Sequence, residues 1–166
     1  VGIHSLLAAC VKRGVKKIVI MSTDEVYGST EQIVDVNLLN PANPYSASKA
    51  AADMIVTAYK TMHPEITITT LRSNNIAGPG QFINNIIPRF SVLGLLKKKF
   101  TLHGDGSAMR RYLWVKDAAE AIWLLAEKAT KSQIYHIGHE DKFSNLEIAE
   151  KIGKYLGLKD YISFEK

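Results

Sequence analysis

A tyrosine followed four residues later by a lysine is a pair with chemical potential. On a helix the two side chains share one face, and an ammonium beside a phenol favours the phenolate. Such a tyrosine can serve as a base near neutral pH. The spacing occurs three times here, at Tyr45/Lys49, Tyr112/Lys116 and Tyr155/Lys159. Context separates them. Tyr112 stands in the strand-like run Tyr112-Leu113-Trp114-Val115, where i and i+4 do not make a helical pair, and Tyr155/Lys159 straddles a helix end at Gly157. Tyr45 alone opens a helix, and it is the credible base.

Two polar clusters accompany it, Ser22-Thr23-Asp24-Glu25 and Ser73-Asn74-Asn75, each closing a strand-like run. Residues of these types shape turns and cap helices. In open parallel sheets they also stand where ligands bind, beyond the carboxyl ends of strands. Asp24 and Glu25 are adjacent carboxylates. In different environments two such groups can hold different protonation states and divide acid and base work between them.

The elements that must position these groups are legible as patterns. Residues 1–13 read as a helix stopped by Gly14, and Lys17 to Met21 as a β-branched run of the kind buried on both faces. A loop rich in Gly, Asn and Pro follows Asp24-Glu25. Asn43-Pro44, a capping residue followed by proline at the first helical position, predicts a helix running to about Met62, before Pro64. Its surface is small and apolar nearly all round (Ala47, Ala50, Ala51, Ala52, Ile55, Ala58), which predicts burial on most sides or packing on another subunit. Ile66 to Leu71 reads as a second strand, followed by a Gly78-Pro79-Gly80 turn, and Gln133 to Ile137 as a third. Two further helices carry capping boxes, Asp117 with Glu120 and Ser144 with Glu147. Strands alternating with helices predict an α/β protein with a mainly parallel sheet. There is no internal repeat, low-complexity tract or evident linker.

Composition bounds the rest. The chain has 166 residues, 46% hydrophobic and 22% charged, with mean hydropathy -0.03. That is ordinary for a globular domain and excludes disordered or collagen-like classes. No apolar stretch approaches the roughly 20 residues of a membrane span. The net charge of +5 is scattered, the longest basic run being Lys97-Lys98-Lys99, and basic residues do not interleave with aromatics. The expected anionic partner is therefore a phosphate-bearing small molecule, with neither nucleic acid nor membrane as a partner. The single cysteine, Cys10, points to a reducing, cytoplasmic compartment.

Taken in order, Ser22-Thr23-Asp24-Glu25-Val26-Tyr27-Gly28, Asn43-Pro44-Tyr45-Ser46-Ala47-Ser48-Lys49 and Arg72-Ser73-Asn74-Asn75 with Gly78-Pro79 resemble the extended short-chain dehydrogenase/reductases. More narrowly they resemble the nucleotide-sugar 4,6-dehydratases, of which dTDP-glucose 4,6-dehydratase is the best-known type. The likeness runs to Tyr135-His136-Ile137-Gly138 and beyond. It implies the C-terminal part of a Rossmann-like parallel sheet with helices on both faces, plus a small substrate-binding α/β region. Residues 1–75 would form a partial NAD-binding domain with the catalytic residues. Residues 76–166 would mainly bind the nucleotide sugar, with segments returning to the Rossmann sheet.

The resemblance also implies roles. Tyr45 would take the 4-hydroxyl proton of the sugar while hydride leaves C4 for NAD. Glu25 would remove the C5 proton, Asp24 would protonate the departing 6-hydroxyl, and hydride would return to C6. Thr23 would hydrogen-bond the 4-hydroxyl, and Lys49 would hold the nicotinamide ribose and tune Tyr45. Ser22 and Ser73 would also face the cofactor. Asn75 and Arg110 would contact the substrate diphosphate, with Asn85 and His136 nearby. A homodimer through helices 1–13 and 45–62 is implied too.

The sequence departs from the family at several points. No Gly-x-x-Gly-x-x-Gly stands in these residues, and Val1 aligns inside the helix before the catalytic strand, so the expectation is a fragment whose phosphate loop lies outside it. Ala77 replaces a common tyrosine, Asn85 a frequent lysine and His136 a frequent asparagine, while Arg111-Tyr112 stands where Asp and Trp are usual. These changes bear on which nucleotide is bound. Sugar-nucleotide epimerases share the tyrosine and lysine but usually carry small or apolar residues in place of Asp24-Glu25. A shortened, non-catalytic or partner-dependent binding protein is the alternative from another class.

Overall fold

The computed structural model describes residues 2–28 and 35–165. Val1, where the first helix was expected to begin, and residues 29–34 of the loop expected after Glu25 lie outside the described residues. In chain order the elements are helix α1 (Gly2–Lys12), strand β1 (Lys17–Thr23), a one-turn 3-10 helix (Asp24–Tyr27), α2 (Pro44–Met62), β2 (Thr67–Ser73), β3 (Asn75–Ala77), α3 (Ile86–Leu95), β4 (Phe100–His103), β5 (Met109–Trp114), α4 (Val115–Lys128), β6 (Ile134–Ile137), β7 (Lys142–Ser144), α5 (Asn145–Tyr155) and β8 (Ile162–Glu165). They divide into two compact units, Val1–Asn74 with Lys116–Gly138, and Asn75–Val115 with His139–Lys166.

The first unit is built on the parallel sheet β1-β2-β6. Gly14, at φ +69, takes the left-handed conformation that lets α1 stop and turn into β1. Leu7, Ile20, Val56, Tyr59, Ile66 and Ile68 close the core among α1, β1, α2 and β2. The α2 start is the one its sequence predicts: Asn43 Oδ1 accepts from the Ser46 amide, Ser46 Oγ accepts from the Asn43 amide, and Pro44 occupies the first turn. Of the two alternatives expected for α2, burial on most sides does not hold within the chain. α2 buries Ser46, Ala50, Asp53, Val56 and Tyr59 along one face, whereas Ala47, Ala51, Met54 and Ala58 are exposed. Small side chains do not of themselves bury a helix; the sheet covers only one side of it.

The second unit holds a sheet in which β5 pairs in parallel with β3 and antiparallel with β7, and a parallel pair β4-β8. Its core is Phe90, Phe100, Leu102 and Ala149, with the Phe90 and Phe100 rings stacked at 4.8 Å. The Ser144–Glu147 box caps α5 reciprocally, as its spacing predicts. The Asp117–Glu120 box does not form. α4 starts at Val115, directly after β5, so Asp117 lies in the first turn, where its charge favours the helix dipole without capping it. Among the described residues no helix is long and apolar enough to cross a membrane.

Candidate active site

Strand β1 runs two residues beyond its apolar stretch, which puts Ser22 and Thr23 at its carboxyl end, both buried. Thr23 then caps the 3-10 helix: its Oγ1 accepts from the Glu25 amide at 3.3 Å. That turn carries Asp24 and Glu25. It closes at Gly28, whose φ of +70 and close approach to the Asn40 carbonyl leave no room for a side chain. In parallel register, Ser22 and Thr23 lie beside Arg72 and Ser73 of β2.

The two carboxylates are held differently. Asp24 Oδ2 accepts a 2.6 Å hydrogen bond from Asn74 Nδ2, and Thr23 Oγ1 lies 3.4 Å from its Oδ1. Glu25 Oε2 accepts from Asn43 Nδ2 at 3.3 Å. Asn43 therefore caps α2 with its oxygen and holds Glu25 with its nitrogen. Tyr45, in the first turn of α2, feels both acids. Partial burial, then Glu25, then Asp24 hold its phenol above the ordinary value.

The expected lowering of that phenol by Lys49 is not what this arrangement does. The Lys49 ammonium donates to the Met21 carbonyl of β1 at 2.9 Å, so its directed interaction goes to backbone rather than to Tyr45. Beside that carbonyl in sequence, Ser22 Oγ is buried with no hydrogen-bond partner among the described residues. A buried hydroxyl without a partner is uncommon and marks a place where a ligand's polar group would be welcome.

The first unit thus brings together Ser22, Thr23, Asp24, Glu25, Tyr45, Lys49 and Ser73. His136 belongs to it too, in β6, with its Nε2 2.7 Å from the Tyr27 hydroxyl. The expected diphosphate residues lie in the second unit and are exposed. Asn75 Nδ2 donates to the Arg111 carbonyl at 3.3 Å, and Arg110 Nη1 to the Met109 carbonyl at 2.8 Å. Asn85 occupies the cap position of α3 without a side-chain cap bond. Among the described residues there is no cluster suited to a metal ion.

Sequence reasoning missed a buried set behind the turn: the ion pair Asp53–Arg72 with the Tyr27 hydroxyl. The signals were an arginine one residue before the end of β2 and an aspartate on α2 between Ala52 and Met54. It also missed Gln81, whose Nε2 donates to the Ile76 carbonyl while its Oε1 is buried with no partner among the described residues.

The chain is similar to known proteins over most of its length. The NAD dependent epimerase/dehydratase family matches residues 1–138. A dTDP-D-glucose 4,6-dehydratase of Dictyostelium discoideum is 40% identical over 165 residues, covering 91% of this chain and 38% of the relative. The crystal structure of dTDP-glucose 4,6-dehydratase from Bacillus anthracis in complex with NAD superposes with a TM-score of 0.90 at 35% identity, covering 99% of this chain and 54% of that one. A Thermus thermophilus UDP-glucose 4-epimerase complex with NAD is nearly as similar in fold, with a TM-score of 0.87 at 27% identity, covering 98% of this chain and 55% of that one. The chain thus spans about half the length of these solved relatives, with the α/β architecture of a Rossmann-like dehydratase. With its parallel sheet, its Tyr45/Lys49 helix and its carboxylate turn, the chain belongs to the NAD-dependent epimerase/dehydratase family.

Proposed function

We propose that this chain carries the catalytic and sugar-binding residues of an NAD-dependent 4,6-dehydratase, acting on dTDP-glucose or UDP-glucose to give the 4-keto-6-deoxy sugar nucleotide. The observation that carries this reading is the pair Asp24-Glu25 on a fixed turn, close enough to Tyr45 for both charges to raise its pKa. Removal of water from C5 and C6 needs a base for a carbon-bound proton and an acid for the leaving hydroxyl, and two carboxylates in distinct hydrogen-bond settings suit that division.

The residues present fit the cofactor. Ser22 Oγ has no partner among the described residues, and Lys49 stands on the neighbouring carbonyl. Ser22, Tyr45, Lys49 and Ser73 would hold NAD. When bound, NAD supplies the hydride acceptor for C4 and the donor for C6. Tyr45 takes the 4-hydroxyl proton, Thr23 orients that hydroxyl, Glu25 takes the C5 proton and Asp24 gives its proton to the 6-hydroxyl, which departs as water. Asn75, Asn85 and Arg110 bind the diphosphate, for which a guanidinium fork is well shaped. Homodimerisation through α1 and α2, whose outer faces expose Leu6, Met54 and Met62, and a cytoplasmic location complete the proposal.

The test is a product assay with dTDP-glucose and UDP-glucose, using the protein as its gene encodes it. A 4-keto-6-deoxy product with solvent hydrogen at C5 supports the reading. Conversion to the 4-epimer, with C5 unexchanged, overturns it in favour of an epimerase.

A further inference from the structure

Behind the carboxylate turn lies a charged assembly that the reaction does not call for. Arg72 of β2 is 3% exposed and Asp53 of α2 is 4% exposed, and Arg72 Nε donates to Asp53 Oδ2 at 2.9 Å. The same guanidinium turns its Nη1 to the Tyr27 hydroxyl, at the end of the 3-10 helix, and to the Val36 carbonyl at 2.6 Å. Its Cζ also sits over the Tyr27 ring, 4.8 Å from the centroid. A buried ion pair of this kind generally contributes no more stability than a well-packed apolar pair would. What it contributes that an apolar pair cannot is direction.

The hydrogen bonds can be oriented. Arginine only donates, so the Tyr27 oxygen accepts from Arg72. The Tyr27 proton then goes to His136 Nε2 at 2.7 Å rather than to the Val36 carbonyl at 3.5 Å. By this assignment His136 is neutral, with its own proton on Nδ1. Its surroundings agree: partial burial and Arg72 lower its pKa, with Asp24 opposing. On the far side of the pair Lys60 donates to Thr70 Oγ1 at 3.2 Å; burial lowers its pKa, the Asp53 charge opposes that and Arg72 adds to it.

We propose that Arg72, with Tyr27 and His136, is a positioning clamp: it ties α2, which carries Tyr45, to the turn that carries Asp24 and Glu25. One guanidinium reaches both elements, through Asp53 on the first and Tyr27 on the second, and His136 of β6 fixes the Tyr27 hydroxyl from the third strand of the sheet. The positioning role rests on the dehydratase reading; the clamp itself does not.

The experiment compares Tyr27→Phe, His136→Leu and His136→Gln with the wild type, in the protein as its gene encodes it. It reads kcat and KM for the sugar nucleotide, the melting temperature, and amide hydrogen exchange over residues 22–28 against β2. Tyr27→Phe keeps the ring under the guanidinium and removes only the hydroxyl. For it and for His136→Leu we expect kcat to fall about ten- to a hundredfold, the cost of a slightly misplaced catalytic group, with KM little changed. Exchange should accelerate at residues 24–28 and stay unchanged in β2. Gln offers a neutral acceptor near the position of Nε2, so His136→Gln should recover most of what His136→Leu loses. Unchanged kcat and exchange in Tyr27→Phe would overturn the clamp, as would exchange that rises equally across the first unit. A wild type that forms no 4-keto-6-deoxy product sinks the dehydratase reading, while the exchange pattern still decides whether the turn is clamped.

Discussion

The two units of this chain are built on opposite principles. Every buried polar or charged residue among those described belongs to the first: Ser22, Thr23, Ser46, Asp53, Thr69, Thr70, Arg72 and Ser73. The buried core of the second is apolar, centred on Phe90, Phe100, Leu102 and Ala149. The difference fits what the proposed function would ask of each. Proton transfers need groups fixed to a fraction of an ångström, and directional bonds inside a low-dielectric core provide that. On the proposed function, gripping a diphosphate asks less of Asn75, Asn85 and Arg110, which are surface residues.

The strongest way to break the comparison is through chemistry. Glu25→Gln should lower turnover by about two to four orders of magnitude, the usual worth of a general base, with little change in KM. The same substitution has a pH signature. Glu25 is one of two charges that raise the Tyr45 pKa, after partial burial, so its removal should move the phenol titration down toward the ordinary value. An NMR titration of the Tyr45 ring reads this without substrate. An unmoved midpoint would mean that the turn and α2 do not communicate.

Next comes stability. Asp53→Ala strands the Arg72 charge in the core and should cost about 3–5 kcal/mol in denaturant unfolding. The sharper variant replaces both partners, Asp53→Leu with Arg72→Met. An apolar pair of similar size should restore most of that stability. It should not restore turnover, because the bonds to Tyr27 and Val36 would still be missing. If both recover together, the charged core of the first unit is merely packing, and the contrast between the units dissolves.

The same contrast explains what the sequence made legible. β1 announced itself as a β-branched run, α2 by Asn43-Pro44 and α5 by Ser144 and Glu147, because each signal lies within a few residues of the structure it specifies. Asp24, Glu25 and Tyr45 were legible for the same reason. The clamp was not: Asp53, Arg72 and His136 meet across three elements, and no local pattern records a pairing 19 or 109 residues apart. The strands β3 and β7, three residues each, exist only through their pairing with β5, which period-2 patterning cannot register. Asp117 misled because a serviceable capping pattern sits two residues inside a helix that begins straight from a strand. The bond from the Tyr27 hydroxyl to His136, which was expected near the diphosphate from its place in a motif, joins residues too far apart for any local pattern to record.

In the second unit the expected effect is smaller and of another kind. Arg110→Lys keeps the charge and loses the fork, so it should raise KM for the sugar nucleotide by about tenfold and leave kcat nearly untouched. Steady-state kinetics with dTDP-glucose and UDP-glucose measure it. A fall in kcat instead would give this exposed arginine a part in the chemistry that the comparison denies it.

The finest test uses one device that both units share. Asn43 and Ser144 each cap a helix through a reciprocal box, and replacing either with alanine should cost about 1 kcal/mol of stability. Ser144 has only that duty. Asn43 has a second, since its Nδ2 donates to Glu25 while its Oδ1 caps α2. Ser144→Ala should therefore lower the melting temperature and leave kcat alone, whereas Asn43→Ala should lower both. Asn43→Ser separates the two duties, because serine caps as well as asparagine but has no amide to reach Glu25. It should recover the stability and keep the deficit in kcat, a few-fold for a bond as long and exposed as this one. Full recovery of both would reduce Asn43 to a cap, leaving Glu25 to be held by the turn alone.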